Sequence, residues 1–452
     1  MVERGIGSII VVGPGGEALG IVTDRDLRTR VLGVERSTAD PITTIMTAPV
    51  VTISPEAFAL EALLEMTRQN VHHLPVVEAG KLIGVISSHD LLLLQAAAPL
   101  ELARRIQSCA SVVELGAIIP QLTETVRRLV EQQGLSGYEI GRIVSELNDL
   151  VIGRVLVFAE RELRDGAAGE PPLPFCWLAL GSEGRREQTL RTDQDNALVY
   201  VDPSSPTLRH AAARYFLGFA ERVIQDLVQL GYPRCPADSM ASNPKWCQPL
   251  SVWRGYFGEW ARDTTSENLM HASIYLDFRP VAGTADLAHQ LRDEVRAQVR
   301  AWRSFPRYLG KIAVSHAPPL GLFGRFKLRR DNGRRGVNVK LGGMLLLNNA
   351  LRAYAIDLGL DETNTIERLE AAARVGGCFT AGEVADIREA YETLFHFRLR
   401  HQLDRMAAGE PPDNLLDPYA LSRSDQQRLR GAFRAIRRLQ GKVEDRYFTQ
   451  AI

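Results

Sequence analysis

The chain of 452 residues is 45% hydrophobic and 24% charged, an ordinary globular composition with room for about three domains of ~150 residues. Its 54 Lys and Arg balance 54 Asp and Glu, so no overall field draws it to nucleic acid or an anionic membrane, and neither DNA nor a bilayer is an expected partner. Five scattered cysteines without a Cys-x-x-Cys pair argue against a disulfide framework or zinc site, and no apolar run reaches the ~20 residues of a membrane span, so a cytoplasmic protein is expected.

Residues 1–98 contain an internal repeat. GSIIVVGPGGEALGIVTDRDLRTRVL aligns with HHLPVVEAGKLIGVISSHDLLLL: strand, glycine-bearing turn, strand, then Thr or Ser with an Asp three residues later at the head of a helix. Taken alone, Thr23 and Ser87 read as N-caps, with the aspartates stabilising the first helical turn. The repeat as a whole, and GIVTDRDL and GVISSHDL in particular, resembles the CBS-domain pair. The resemblance implies that Thr23, Asp26, Ser87 and Asp90 contact an adenine nucleotide and that two chains pair as a homodimer through these domains. The first copy is expected to be N-terminally truncated, and the second, from Met46, complete.

Residues 99–166 are expected to be a helical linker, with Ile140, Ile143, Val144, Leu147 and Leu150 at helical spacing. DGAAGEPPLP (165–174) then leads into FCWLALGSEGRREQTLRTDQDNALVYV (175–201). This segment reads as a strand, a turn at Gly181-Ser182, a short polar helix, and a second strand led by Asp193 and Asp195. Positions i and i+2 of a strand share a face, and a Gly-Ser turn offers phosphate-binding groups. A third carboxylate, Asp277, is expected on a half-buried strand in ASIYLDFRPVAG, where Ile274, Leu276 and Phe278 alternate with Tyr275, Asp277 and Arg279. Nucleotidyl transfer builds charge on two oxygens of the α-phosphorus, which carboxylate-held cations stabilise.

The segment 235–260, rich in Trp, Asn, Pro and Ser, reads either as part of a base or acceptor pocket or as a packed loop with aromatic anchors. In RFKLRRDNGRRGVNVK (325–340), Asn332-Gly333 predicts a β-hairpin. Lys340 is its best candidate for a triphosphate contact, and a solvated basic hairpin is the plainer reading. The histidines lack ligand spacing.

Ser182, Asp193 eleven positions later, the Asp-x-Asp and the later Asp resemble the DNA polymerase β nucleotidyltransferase superfamily. GSEGRREQ, TDQDNALVY, MASNPKW and DFRPVAG resemble more narrowly the CBS-domain-containing nucleotidyltransferases related to the protein-PII uridylyltransferase N-terminal domain. VNVKLGGMLLLNNALRAYA, LRLRHQ and PDNLLDP resemble that family's C-terminal substrate-binding domain. The resemblance implies an α+β multidomain protein: a CBS pair (1–98), the helical linker (99–166), a polymerase-β-like nucleotidyltransferase domain with a mixed sheet and helices (167–300), and a mainly helical C-terminal domain (301–452). It implies that Gly181 and Ser182 hold the triphosphate, with Arg185, Arg186 and Lys340 as further phosphate contacts. Asp193, Asp195 and Asp277 would ligate Mg²⁺ or Mn²⁺, and Asp277 would also serve as general base. The implied reaction transfers a nucleoside monophosphate from NTP to a protein or small-molecule acceptor, regulated by adenine nucleotide at the CBS pair. The alternative is a non-catalytic nucleotide-sensing signalling protein.

Overall fold

The computed structural model describes residues 1, 7–34, 36–37, 39–69, 71–88, 97–131, 135–166, 168–190, 193–263, 265–331 and 333–447. It divides into two compact units, Met1–Ser108 and Cys109–Ile452. The division falls ten residues beyond the expected end of the CBS pair.

The first unit carries the repeat as two antiparallel hairpins. Strand β1 (Ser8–Val12) pairs with β2 (Ala18–Thr23), and helix α1 (Asp24–Arg30) follows. After α2 (Ala59–Arg68), β3 (His73–Glu78) pairs with β4 (Lys81–Ser87). Ser8 faces Thr23 as His73 faces Ser87, and each hairpin breaks register at the same relative place, Val11/Val12 and Val76/Val77. Ala62, Leu63, Met66 and Leu74 form its core with Leu100 of α3 (Ala97–Ser108).

In the second unit, α4 (Val112–Glu131) precedes α5 (Gly137–Asp165), which starts in a Ser136–Glu139 capping box and buries Ile140, Val144, Leu147, Val151 and Val155. These expected linker helices are packed parts of this unit. A four-stranded mixed sheet has the order β7-β6-β5-β8. Its strands are β5 (Phe175–Ala179), β6 (Asn196–Tyr200), β7 (Cys247–Pro249) and β8 (Arg279–Gly283). β5 runs antiparallel to β6 and β8, and β6 parallel to β7. The turn after β5 continues as a four-residue helix, α6 (Gly181–Gly184). Helix α7 (Pro206–Gln229) sets Phe216 and Phe219 against Phe175, Trp177 and Tyr200.

The segment 235–260 is a loop only at its start and continues as a 3-10 turn (Pro244–Trp246), strand β7 and the first part of a helix, with aromatic anchors packed inside. Trp246, with Trp253 and Trp260 of α8 (Leu250–Arg262), stacks around Tyr275. Tyr275 ends α9 (Ser266–Tyr275), and this helix corrects the expected strand: Ile274 and Tyr275 are helical, and the strand starts only at Arg279. Leu269, Ala272 and Tyr275, buried at three-residue steps, outweigh the short alternation after Ser273.

Helices α10 (Ala285–Ala301) and α11 (Phe305–Val314) lead to the hairpin of β9 (Arg329–Asp331) and β10 (Arg334–Asn338), as the Asn-Gly pair predicts. A π-helical turn, Lys340–Met344, opens the buried helix α12 (Leu345–Leu358). Then come α13 (Thr365–Gly376), α14 (Ala381–Ala407), β11 (Leu415–Leu416) and α15 (Arg423–Tyr447). α14 approaches α5 closely: a Cβ on Gly141 would lie 3.0 Å from the Phe395 ring. Among the described residues, no helix is long and apolar enough to cross a membrane.

Candidate functional site

The antiparallel pairing of Ala179 with Asn196 brings the end of β5 beside the start of β6. One residue beyond each, the Leu180 N–H donates to the Asp195 carbonyl at 2.9 Å. Gly181 then turns at φ +54°, and a Cβ there would lie 3.0 Å from Asp195 Oδ2. Left-handed backbone and close carboxylate together call for glycine. Loop 233–241 clamps the Asp-x-Asp backbone: the Gln194 N–H donates to the Pro233 carbonyl at 3.1 Å and the Asn196 N–H to the Ser239 carbonyl at 3.1 Å. Asn196 Oδ1 accepts the Ala241 N–H at 2.9 Å.

Acidic groups meet cations here. Burial pushes the Asp195 carboxyl up to about 6, and Asp193 adds to the rise, against a Cys235 hydrogen bond and the charges of Lys340 and Arg185. Glu183, fully buried in α6, is pushed well above the carboxylate range by burial and then by Asp195 and Asp149. On the other side stands Lys340, whose ammonium is lowered by burial and by Arg398 while Asp193 and Asp195 support its charge. Arg398, on α14, is pulled down to about 10 by burial, opposed chiefly by Asp193. Its Nε donates to Asn414 Oδ1 at 2.7 Å. Ser182, Lys340 and Arg398 line one small cavity of about 50 Å³. Sequence reasoning found Gly181, Ser182, Asp193, Asp195 and Lys340, and the structure brings them together. It missed Arg398, Cys235 and Glu183. The one local signal for Arg398 is its place three residues after the buried Phe395.

Asp277 is elsewhere in its chemistry. It is fully buried, between α9 and β8, and three guanidinium groups enclose its carboxylate. Arg185 Nη1 donates to Oδ2 at 2.7 Å, Arg352 Nε to Oδ1 at 3.0 Å and Arg368 Nη2 to Oδ1 at 2.7 Å, with Arg352 Nη2 adding a bond to Oδ2 at 2.5 Å. Burial alone would raise its pKa, but the three arginines hold it far below the ordinary carboxylate range. The expectation of Asp277 as metal ligand and general base is therefore corrected: its oxygens are saturated by cations. Arg185 is corrected with it, since its guanidinium is spent on Asp277 and on Glu187 Oε2 at 2.9 Å. The expected three-carboxylate cluster is absent too: among the described residues, no three His, Cys, Asp or Glu side chains are placed to hold a metal ion.

The C-terminal region also grips the turn from outside. Thr363 Oγ1 donates to the Gly184 carbonyl at 2.9 Å, Asn364 Nδ2 to the Arg185 carbonyl at 2.9 Å, and the Thr365 N–H to Glu187 Oε1 at 2.7 Å. Arg186 departs from the Gly-Ser site, 3.5 Å from Glu146.

In the first unit, Thr23 and Asp26 close a capping box. Asp26 Oδ2 accepts from the Thr23 N–H at 2.9 Å and from its hydroxyl at 2.7 Å, and the Asp26 N–H donates back to Oγ1. Ser87 ends β4, and Asp90 lies outside the described residues.

Comparison with known proteins agrees with this architecture. Residues 120–267 match the family "Putative nucleotidyltransferase DUF294", residues 303–447 match "Putative nucleotidyltransferase substrate binding domain", and residues 1–33 and 42–97 match the CBS domain. One chain thus carries matches to CBS domains, to a nucleotidyltransferase-like domain and to its substrate-binding partner. Over 94 residues it is 36% identical to the uncharacterized protein MK0525 of Methanopyrus kandleri, covering 20% of this chain and 48% of that one. Over 94 residues it is also 36% identical to the uncharacterized protein YlbB of Bacillus subtilis, covering 21% and 64%. It thus spans less than two thirds of either relative. Among solved structures it is similar to a protein with CBS domains from Burkholderia ambifaria, at 43% identity, 22% and 71% coverage and a TM-score of 0.20.

Proposed function

We propose that the second unit transfers a nucleoside monophosphate from an NTP to a protein or small-molecule hydroxyl, in the manner of a uridylyltransferase, breaking the α–β phosphoanhydride bond and releasing pyrophosphate, and that adenine nucleotide at the CBS unit sets its rate. The observation that carries this reading is the meeting of Asp193 and Asp195 with the Gly-Ser turn on one side and with two cations, the half-buried Lys340 and the buried Arg398, on the other.

The donor set fits a divalent cation. Asp193 raises the pKa of Asp195, so two like charges stand together, and the backbone of Gly181 leaves Asp195 Oδ2 a cradle that a Cβ would fill. Mg²⁺ is commonly held by one or two carboxylates together with substrate phosphates, so a third carboxylate is not needed. Asp193 and Asp195 would hold Mg²⁺ or Mn²⁺. Once bound, the ion would neutralise charge developing on the phosphate oxygens. The Ser182 hydroxyl and the Lys340 and Arg398 cations orient the triphosphate, each as a charge-assisted or neutral donor to its oxygens. Asp277 is a strut in this scheme: it fixes Arg185, and so the turn, against α12 and α13.

At the CBS unit, Thr23, Asp26, Ser87 and Asp90 would meet the adenine nucleotide. Thr23 and Asp26 now satisfy one another, so the ligand must open their capping box. Pairing of two chains through this unit, in the cytoplasm, belongs to the same proposal.

The test is incubation with each α-labelled NTP, Mg²⁺ and cell extract, comparing wild type with the double variant Asp193→Ala, Asp195→Ala. Label on an acceptor from the wild type alone is expected, and equal labelling overturns the proposal. One observation favours a second reading, a non-catalytic nucleotide sensor: the carboxylate expected to act as base is locked among arginines. Calorimetry showing Mg²⁺-dependent NTP binding without turnover in any extract selects it.

A further inference from the structure

An unexplained space near the turn lies on the far side of Arg186. It is a cavity of about 480 Å³ bounded by the β8 entry (Phe278, Pro280), by α10 (Ala288, His289, Arg292) and by the segment Asp361–Glu367. That volume is within the usual range for a small-molecule site.

Its charges are not all compensated. Arg279 is spent on Asp149 in a bidentate pair, at 2.6 and 2.8 Å, and Arg185 on Asp277 and Glu187. Arg296 pairs with both acids of the wall nearest it, Asp293 and Asp361. Among the described residues, Arg292 is left without a carboxylate partner, and Arg186 has a single long pair, to Glu146. Arg292 donates only to the Leu276 and Phe278 carbonyls and lies 4.0 Å over the Phe278 ring. Among the described residues no carboxylate is within ion-pair distance of it, and burial with Arg368 beside it pulls it down to about 10. Arg186 has Glu146 at 3.5 Å, and its Nε is buried without a hydrogen-bond partner.

The backbone aims Arg186 here. It is one of four non-glycine residues at positive φ among the described residues, at +55°, a conformation that persists only where surroundings enforce it. The enforcement comes from its own N–H to the Glu183 carbonyl at 3.1 Å and from Asn364 on the preceding carbonyl. The result sends neighbouring arginines opposite ways: Arg185 inward to Asp277, Arg186 to the cavity.

We infer that this cavity is a second ligand site, separate from the triphosphate pocket, that takes a small phosphate monoester. Arg186 and Arg292 face its phosphate oxygens, and Phe278, Pro280 and Ala288 receive its apolar body. Arginine suits this task because its planar fork pairs with phosphate oxygens two at a time. The site stands four residues along the chain from Ser182, so its occupant reaches the phosphate-binding turn directly.

The test uses the full chain with phenyl phosphate and inorganic phosphate as probes, followed by calorimetry and ³¹P line broadening. Phenyl phosphate is expected to bind once per chain and more tightly than inorganic phosphate, which lacks the apolar contact. Arg186→Ala should weaken it about tenfold or more, the loss of one charge-assisted hydrogen bond. His289→Glu places a negative charge at the rim on a side chain 71% exposed, so it leaves the fold intact and should weaken binding similarly. Lys340→Ala should leave phenyl phosphate binding unchanged. Binding lost in Lys340→Ala but kept in the other two would put the phosphate at the Gly-Ser pocket and overturn the inference. So would no binding, or binding that none of the three changes alters. The inference stands or falls apart from nucleotidyl transfer, because NTP binding is read through Lys340 and this site through Arg186 and His289.

Discussion

Asp277 and Asp195 lie at one end of the same sheet, are both desolvated, and end with opposite electrostatics. Burial raises both carboxyls, but Asp277 has Arg352, Arg368 and Arg185 around it and is driven far down, while Asp195 has Asp193 beside it and rises to about 6. The difference separates a structural carboxylate from one left in need of a cation. The first has all its partners in the chain. The second is half-buried, and its acidic neighbour Asp193 makes its charge more costly.

The sharpest way to break this comparison is Asp277→Asn. It leaves three guanidinium groups buried around a neutral amide, and removing one partner of a buried ion pair costs about 3–5 kcal/mol. Urea unfolding should show a loss of that size, whereas Asp195→Asn should change stability by no more than about 1 kcal/mol. Similar losses in both variants would mean that the two carboxylates do the same work. The pH signs agree with the contrast. Asp277 is depressed, so its stabilisation is complete above the unfolded value of about 3.9 and disappears only as pH falls through its much lower folded value. Asp195 is raised, so its effect is favourable only below the unfolded value and is lost as pH rises through about 6.

That second sign gives a binding prediction of intermediate size. A cation needs the ionised carboxylate, so Mn²⁺ affinity should climb by up to tenfold per unit as pH rises toward about 6 and level off above it. Asp195→Asn should flatten the profile, as calorimetry across pH 5 to 8 would read. A wild-type profile that is already flat would mean that Asp195 does not ligate the ion.

Why one aspartate was legible in the sequence and the other was not follows from where their partners come from. Gly181, Asp193 and Asp195 are joined by the pairing of two strands adjacent in sequence, so a local pattern contains the whole contact. The CBS hairpins and the Gly333 turn were legible for the same reason, their strands being separated by a few residues. Asp277 had a misleading local pattern, since the Ile274, Leu276, Phe278 alternation spans the end of a helix and the entry to a strand. Its decisive partners, Arg352 and Arg368, lie 75 and 91 residues away. Arg398 was missed likewise: on α14 it is one arginine among several, and only the tertiary fold turns it toward Asp193.

The smallest expected effect sharpens the comparison from the acidic side. Glu183 is more deeply buried than Asp195 and is pushed well above the carboxylate range, first by burial and then by Asp195 and Asp149. Burial and the neighbouring carboxylates favour the protonated form of this carboxyl, and its Oε1 accepts a hydrogen bond from Gln188 Nε2 at 3.0 Å. A glutamine side chain has nearly the shape and charge of the protonated acid, so Glu183→Gln should change stability by less than about 1 kcal/mol. It should also leave the Mn²⁺ pH profile at Asp195 in place, because no ionised neighbour is removed. A loss of several kcal/mol on thermal or urea unfolding would instead show Glu183 ionised and paired, and the acidic cluster would then be neutralised from within, as Asp277 is.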